Sequence, residues 1–252
     1  MTFDEPIDFE ELVQRAQKLG LMPTTLSSAE LVAIEATVKE RAFFSAKVDR
    51  EDLLAKFKSV VDEILMPESR IEGGVVKSRG LSFAKARTLL RGAVAESGYQ
   101  PEPGKAGTIQ DLGSDPRLDL IIRTNVQTAQ GYGEFIQGNT DEALELYPCW
   151  ELFRLEARKE PRDWKLIWQN AAEQVGDAGA IAALKKGKMV ARKDSDIWVA
   201  ISEFDRPYPP FRYNSGMWIR DVDRDTAVEL GVIEPLDVIQ PRTDNFQFQE
   251  AA

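Results

Sequence analysis

The chain contains no histidine. That removes the usual general base, the commonest metal ligand and the standard partner of a serine or cysteine nucleophile. Catalysis, if any, would rest on carboxylates, lysine, tyrosine or serine. Cys149 is the single cysteine, so neither an intrachain disulfide nor a cysteine-based metal cluster can form. Between Pro148 and Trp150 this thiol reads as a small buried apolar residue rather than a reactive one. No apolar run approaches the roughly 18 residues that a membrane-spanning helix needs. The opening Met-Thr-Phe-Asp-Glu-Pro is acidic and lacks a hydrophobic stretch, so no secretory signal is expected. The chain is expected to be made and kept in a cytoplasm unless something such as a virion carries it out. Positive charge is also short. The 32 Lys and Arg against 42 Asp and Glu leave a net charge of −10, which repels nucleic acid overall. A weak DNA contact would need a local patch, for which Lys185, Lys186, Lys188, Arg192 and Lys193 are the candidates. A solvated turn around Gly187 is the preferred reading of those residues.

The recognisable chemistry motifs are missing too. There is no dinucleotide-binding glycine fingerprint, no Walker phosphate loop, no HExxH and no GxSxG. Gly131-Tyr132-Gly133 resembles the start of a dinucleotide loop but falls inside a predicted helix rather than after a strand. Gly104-Lys105-Ala106-Gly107 has a lysine but no serine or threonine in phosphate-loop register. Acidic pairs such as Glu142/Glu145 and Asp221/Asp223 could do acid–base work, yet such pairs are common in a chain this acidic. No catalytic residue, cofactor or metal is therefore expected.

What is present is an ordinary globular composition: 43% apolar and 29% charged over 252 residues, enough for one core or one core with an appended arm. The first hundred residues read as helices. Asp8 and Glu11 form a capping-box pattern before Phe9, Leu12, Val13, Ala16 and Leu19, and Ser27 and Glu30 repeat it before Leu31, Ile34, Val38 and Ala42. Asp49 and Asp52 open a third helix, with its stripe Leu53, Leu54, Phe57, Val60, Val61, Ile64 and Leu65 ended by Pro67. Glu68 to Gly80, with Gly73-Gly74 inside, reads as a loop or hinge. Ser82 caps a fourth helix.

Residues 101–107 read as a connection between a helical arm, 1–100, and a main domain, 108–239. That domain opens with a long helix capped at Asp115 before Pro116. Gly131 and Gly133 weaken this helix by roughly 1 kcal/mol each, which makes sense if another backbone packs closely there. Trp150 to Ala157 alternates like a half-buried strand. Trp164 to Ala172 and Ala178 to Leu184 read as helices, Ile197 to Phe204 as either helix or strand, Trp218 to Val222 as a strand, and Arg224 to Leu230 as a short helix stopped by Gly231. A polar, loosely held tail is expected over 240–252. The fold class is α+β: a helical arm, then a compact domain of helices on a small antiparallel sheet. Trp164, Trp168, Trp198, Phe204, Tyr208, Phe211, Tyr213 and Trp218 could form a stacking platform or a binding anchor, but an aromatic core is preferred. Tyr208-Pro209-Pro210-Phe211 reads as a rigid extended segment.

Taken in order, these phrases resemble the phage Mu F-like minor head protein family, also called the phage head morphogenesis domain. The resemblance runs over roughly 41 to 235. Its elements are Ala42-Phe43-Phe44-Ser45 and the helix from Asp52 to Leu65; the pair Arg123-Thr124 leading to Ala129 and Gly133; a strand with Trp150 and a basic turn from Arg158 to Arg162; then Trp198, Tyr208, Pro209, Pro210, Tyr213 and Asn214. The family often carries two cysteines after the tyrosine-asparagine step, where this chain has Ser215 and Met217. It also often carries a histidine near the position of Asp163. Any metal or disulfide those residues hold in the family is not expected here.

The resemblance implies a minor capsid protein of a tailed phage or prophage, assembled in the host cytoplasm and located in the virion head. It implies portal and other head proteins as partners, with oligomerisation on the portal or capsid as one option, and binding rather than turnover. Arg123, Thr124, Gly133, Trp150, Tyr208, Pro209, Pro210, Tyr213 and Asn214 are the candidate interface or domain-defining residues. Arg123 is expected to satisfy carbonyls or a carboxylate near the start of its helix, or to contact a partner. The alternatives are a virion-packaged effector enzyme of ADP-ribosyltransferase type and an internal DNA-contacting head protein. The first wants a Ser-Thr-Ser-like strand and a late catalytic glutamate motif, and neither stands out in this sequence. The acidic charge weighs against the second.

Overall fold

In a computed structural model, the described residues are 19–27, 30–31, 33–34, 42–65, 68–72 and 75–242. Among them the chain is α+β, with eight helices and a small three-stranded antiparallel sheet. It divides into two compact units, 1–129 and 130–252.

In the first unit, β1 (Gly20–Leu21) pairs in parallel with β2 (Ala42–Phe43). Helix α1 (Glu51–Leu65), α2 (Phe83–Glu96) and the first half of α3 (Asp115–Gly138) share a core that includes Leu54, Phe57, Leu90, Leu118 and Ile122. Ser82 caps α2 by accepting the Lys85 N–H, which satisfies one of the orphan donors at the helix start. Arg87 on α2 pairs with Asp119 on α3 at 2.9 Å, and Arg91 pairs with Asp115. From α3, the Arg117 guanidinium donates to the Ser45 hydroxyl and the Ala46 carbonyl, fastening the segment that follows β2.

Several expectations change here. The Ser27–Glu30 capping box forms, but Ala42, expected at the end of that helix, lies in β2. The helix expected from Asp8 lies outside the described residues. The expected loop over 68–80 is instead an antiparallel hairpin of β3 (Glu68–Glu72) and β4 (Val75–Arg79), with Glu72 opposite Val75. The β-branched Ile71, Val75 and Val76, either side of a Gly-Gly pair in the sequence, are the hairpin signal. The cap of α3 is Ser114, whose hydroxyl accepts the Arg117 N–H, not Asp115 inside the helix. The stretch 101–107 is rich in turns. However, the compact units part later, within α3, and the first half of α3 shares the core of α1 and α2.

In the second unit the sheet order is β6 (Val190–Arg192), β5 (Cys149–Arg154), β7 (Met217–Val222). Phe153 lies opposite Trp218, and Cys149 opposite Val222. Around the sheet stand α4 (Asp141–Leu146), α5 (Trp164–Val175), α6 (Ala178–Lys185), α7 (Ile197–Ala200) and α8 (Arg224–Leu230). Side-chain caps start four of these helices: Thr140, Asp163, Asp177 and Asp223 each accept a backbone N–H of the first turn. The sequence reading missed α4 and β6, and the ambiguous 197–204 resolves into the four-residue α7 followed by turns. The tail is firmly held as far as Arg242. Its backbone exchanges two hydrogen bonds with the Asn139 side chain, and its guanidinium donates to the Ser195 carbonyl at 2.8 Å. Residues 243–252 lie outside the described residues.

Candidate functional site

The second unit is organised by aromatic rings. Trp150, Trp168, Trp198, Tyr208 and Phe211 are all buried. Trp198 meets Trp150 at 5.6 Å and Trp168 at 5.3 Å edge to face, and stacks on Phe211 at 6.0 Å. Tyr208 packs on Tyr132 and Phe135 of α3 at 5.7 and 5.6 Å. These are the favourable geometries for ring pairs. The preferred expectation of an aromatic core holds for Trp164, Trp168, Trp198, Tyr208, Phe211 and Trp218, with Trp150 added, while Phe204 and the half-buried Tyr213 pair outside that cluster. The close backbone approach expected at Gly131 is present: a Cβ there would lie 2.1 Å from the Pro209 carbonyl oxygen. The segment 208–211 is not a uniformly extended rod, because the Pro209–Pro210 peptide is cis and the chain bends through it.

The basic turn and the tyrosine-asparagine step hold one another. The Arg158 side chain donates to the Asn214 carbonyl at 3.0 Å, and Arg162 to the Tyr213 carbonyl at 3.1 Å. Asn214 has a φ of 52°, a left-handed conformation that asparagine tolerates better than most residues. Gly216 follows with a φ of +66° and no room for a Cβ, which would lie 2.5 Å from the Glu156 carbonyl oxygen. The Tyr213 ring packs edge-on against Phe204 at 4.7 Å.

The sequence reading missed a polar cluster beside this core. The Lys193 side chain is fully buried. Its ammonium pairs with Asp221 at 2.7 Å, donates to the Gly138 carbonyl at the end of α3, and lies over the Trp150 ring. A cation there also faces the negative end of the helix dipole. Burial pushes the Lys193 ammonium pKa down, while Asp221 opposes the fall. The Trp150 indole N–H donates to the same Asp221 carboxylate. Close by, the Trp218 indole N–H donates to Glu134 at 2.8 Å. Burial pushes the Glu134 carboxyl up to about 7; the Trp218 bond opposes this and the Asp221 charge adds to it. Glu134 as a residue is nevertheless exposed, so solvent reaches part of the side chain and moderates the rise. Nothing in the sequence pattern marks this cluster, because Gly138, Lys193 and Asp221 come together only in the fold.

Of the candidate residues, Gly133, Trp150, Tyr208, Pro209, Pro210, Tyr213 and Asn214 belong to the second unit, and Arg123 and Thr124 to the first. Arg123 is half-buried and sits well inside α3 rather than near its start. The Thr124 carbonyl accepts the Thr128 hydroxyl. The candidate DNA patch is mostly engaged within the chain. Lys186 bonds the Glu229 carbonyl, Lys188 pairs with Glu151, Arg192 with Asp194 and Lys193 with Asp221, while Lys185 is exposed at the end of α6. Of the acidic pairs, Asp223 caps α8 through Thr226, which holds its carboxyl below the usual range, and Glu142 and Glu145 are exposed on α4. Burial pushes the Cys149 thiol up to about 12, as an inert buried cysteine requires. Among the described residues no helix is long and apolar enough to cross a membrane, and no group of three metal-ligating side chains stands together. No protein-family model matches the chain, and neither does any curated protein or solved structure.

Proposed function

We propose that the protein is a minor head protein of a tailed phage or prophage, acting in head assembly by binding the portal, the capsid interior or both. Its work on this reading is positioning rather than turnover, and it resides in the virion head. The support is the ordered set of sequence phrases. The observation that carries it furthest is the seating of Gly131 against the Pro209 backbone, which joins the glycine phrase to the double-proline phrase at van der Waals contact. The Arg158 and Arg162 bonds to the tyrosine-asparagine step join two more. The engagement of the basic residues in intrachain ion pairs and carbonyl contacts weighs against DNA as the main partner.

The test is co-expression of the tagged chain with the portal and major capsid proteins encoded beside it, read by mass photometry. A discrete complex with either supports the reading. No complex at about 10 µM, a generous concentration for a micromolar interface, refutes it. Salt-dependent DNA binding or ADP-ribosylation of host protein would then point to the internal DNA-contacting protein or the packaged effector.

A further inference from the structure

Helix α2 has one face in the core of the first unit and one face open. Ala86, Leu90 and Val94 are buried, and the Arg87 and Arg91 ion pairs fasten the helix to α3. The opposite stripe is Lys85, Leu89, Gly92 and Glu96. Their spacing of four, three and four places them on one side of the helix. Leu89 is 45% exposed, and a Cβ on Gly92 would meet nothing within 4 Å. A glycine in the middle of an exposed helix costs roughly 1 kcal/mol relative to alanine, and no contact among the described residues requires it. Lys85 and Glu96 are exposed, and neither has an ion-pair partner among the described residues. Thr88, beside the stripe, already donates its hydroxyl to the Ala84 carbonyl, so covering it strands no donor.

We propose that this face of α2 docks antiparallel on α2 of a second copy of the chain, about a two-fold axis passing between positions 90 and 91. An isologous interface places each residue against a partner that makes the reciprocal contact. This axis sets Lys85 opposite Glu96 of the second copy, and Glu96 opposite Lys85 of the second copy. It also sets each Leu89 over the open surface of the opposing Gly92. The spacing is that of the layers in an antiparallel helix pair, where a large residue fills the gap left by a small one. The stripe's own charges choose the second copy as occupant. One basic end and one acidic end complement each other only when the two helices run in opposite directions. A helix of this length spans about 21 Å, so the contact is small and the dimer weak, micromolar or weaker. The inference stands on α2 alone and is independent of the proposed function.

The test is sedimentation equilibrium of the full chain from about 10 µM to 1 mM, with Lys85→Glu, Glu96→Lys, Leu89→Asp and an equimolar mixture of the first two. All three positions are exposed, so folding is expected to be preserved; circular dichroism checks this. The expected result is a reversible monomer–dimer equilibrium for the natural chain, weakened about tenfold or more by each single variant. Mixing Lys85→Glu with Glu96→Lys restores both opposed pairs and so recovers association as a heterodimer. A chain that stays monomeric up to about 1 mM overturns the proposal. So does association that the three variants leave unchanged, which would place it on another surface. A mixture that fails to recover association overturns the antiparallel register, and the proposal with it.

Discussion

Replacing Glu134 with glutamine should stabilise the protein at pH 8 and leave it nearly unchanged at pH 4. The Glu134 carboxyl rises from its usual 4.5 to about 7, chiefly through burial. Between those values the folded chain holds a proton that the unfolded chain has released, so raising the pH favours unfolding. The penalty grows from about pH 4.5 to about pH 7 and stays at its full value above. A fully desolvated carboxyl with this displacement would cost about 3 kcal/mol. Glu134 is exposed as a residue, and solvent screening reduces the figure to about 1 kcal/mol; by the same linkage a penalty of that size is nearly complete within about one pH unit above 4.5. Glutamine has the shape of the protonated acid, and its carbonyl can still accept the Trp218 indole N–H. Urea unfolding of both proteins at pH 4, 5, 6 and 8 gives the comparison. The stability difference should open with pH and level off near 1 kcal/mol, a factor of about five in the folding constant. A difference that does not vary with pH, or a variant less stable at pH 8, would refute the burial argument.

Gly131→Ala should lower stability by about 2 kcal/mol or more, since the new Cβ would meet the Pro209 carbonyl at 2.1 Å and overpacking outweighs the gain in helix propensity. Gly92→Ala, with open space around it, should raise stability by roughly 0.5–1 kcal/mol in dilute solution; thermal melts of the pair check both signs. Asp221→Ala should cost more than Lys193→Met. The first strands a buried ammonium and is expected to lose about 3 kcal/mol, whereas the second leaves a half-exposed carboxylate and is expected to lose about 1 kcal/mol. Cys149, buried and with its thiol pushed up to about 12, should react with a thiol reagent only at the rate of unfolding, a rate that denaturant should accelerate.

Much of the helical content was legible because it depends on local chemistry. Ser82 sits where a cap was expected and accepts the Lys85 N–H; Asp163, Asp177 and Asp223, not singled out as caps in the sequence, start their helices in the same way. The close approach at Gly131 was legible because a glycine inside a long helix calls for a neighbour, although its identity as Pro209 was not. The hairpin over 68–79 was missed because its charged residues, Glu68, Arg70, Lys77 and Arg79, obscure the β-branched pairs around Gly73-Gly74. Strand β6 was missed because three residues carry too little periodicity to read. The Lys193 cluster could not be found from the sequence. Lysine is almost never fully buried unless paired, and its partners Gly138 and Asp221 come from distant positions. The cap of α3 was displaced by one residue because Ser114 and Asp115 are both good capping residues.

The residues that carry the family resemblance are mostly packing residues, and this bears on how any partner is found. Trp150, Trp198 and Tyr208 are at most 2% exposed, and the arginines of the basic turn donate to backbone carbonyls. A side chain so buried cannot touch a partner while the unit stays folded, so these positions define the domain more than its surface. Trp150→Phe gives up the indole bond to Asp221 and part of the ring contact with Trp198. It should therefore lower the melting temperature, with partner binding falling only as the folded fraction falls. Lys85→Glu on the open face of α2 should weaken self-association at an unchanged melting temperature. Measuring both quantities for both variants separates the two kinds of position. Loss of partner binding by Trp150→Phe at full stability would show that the aromatic unit contacts the partner directly, and would place the interface in the second unit.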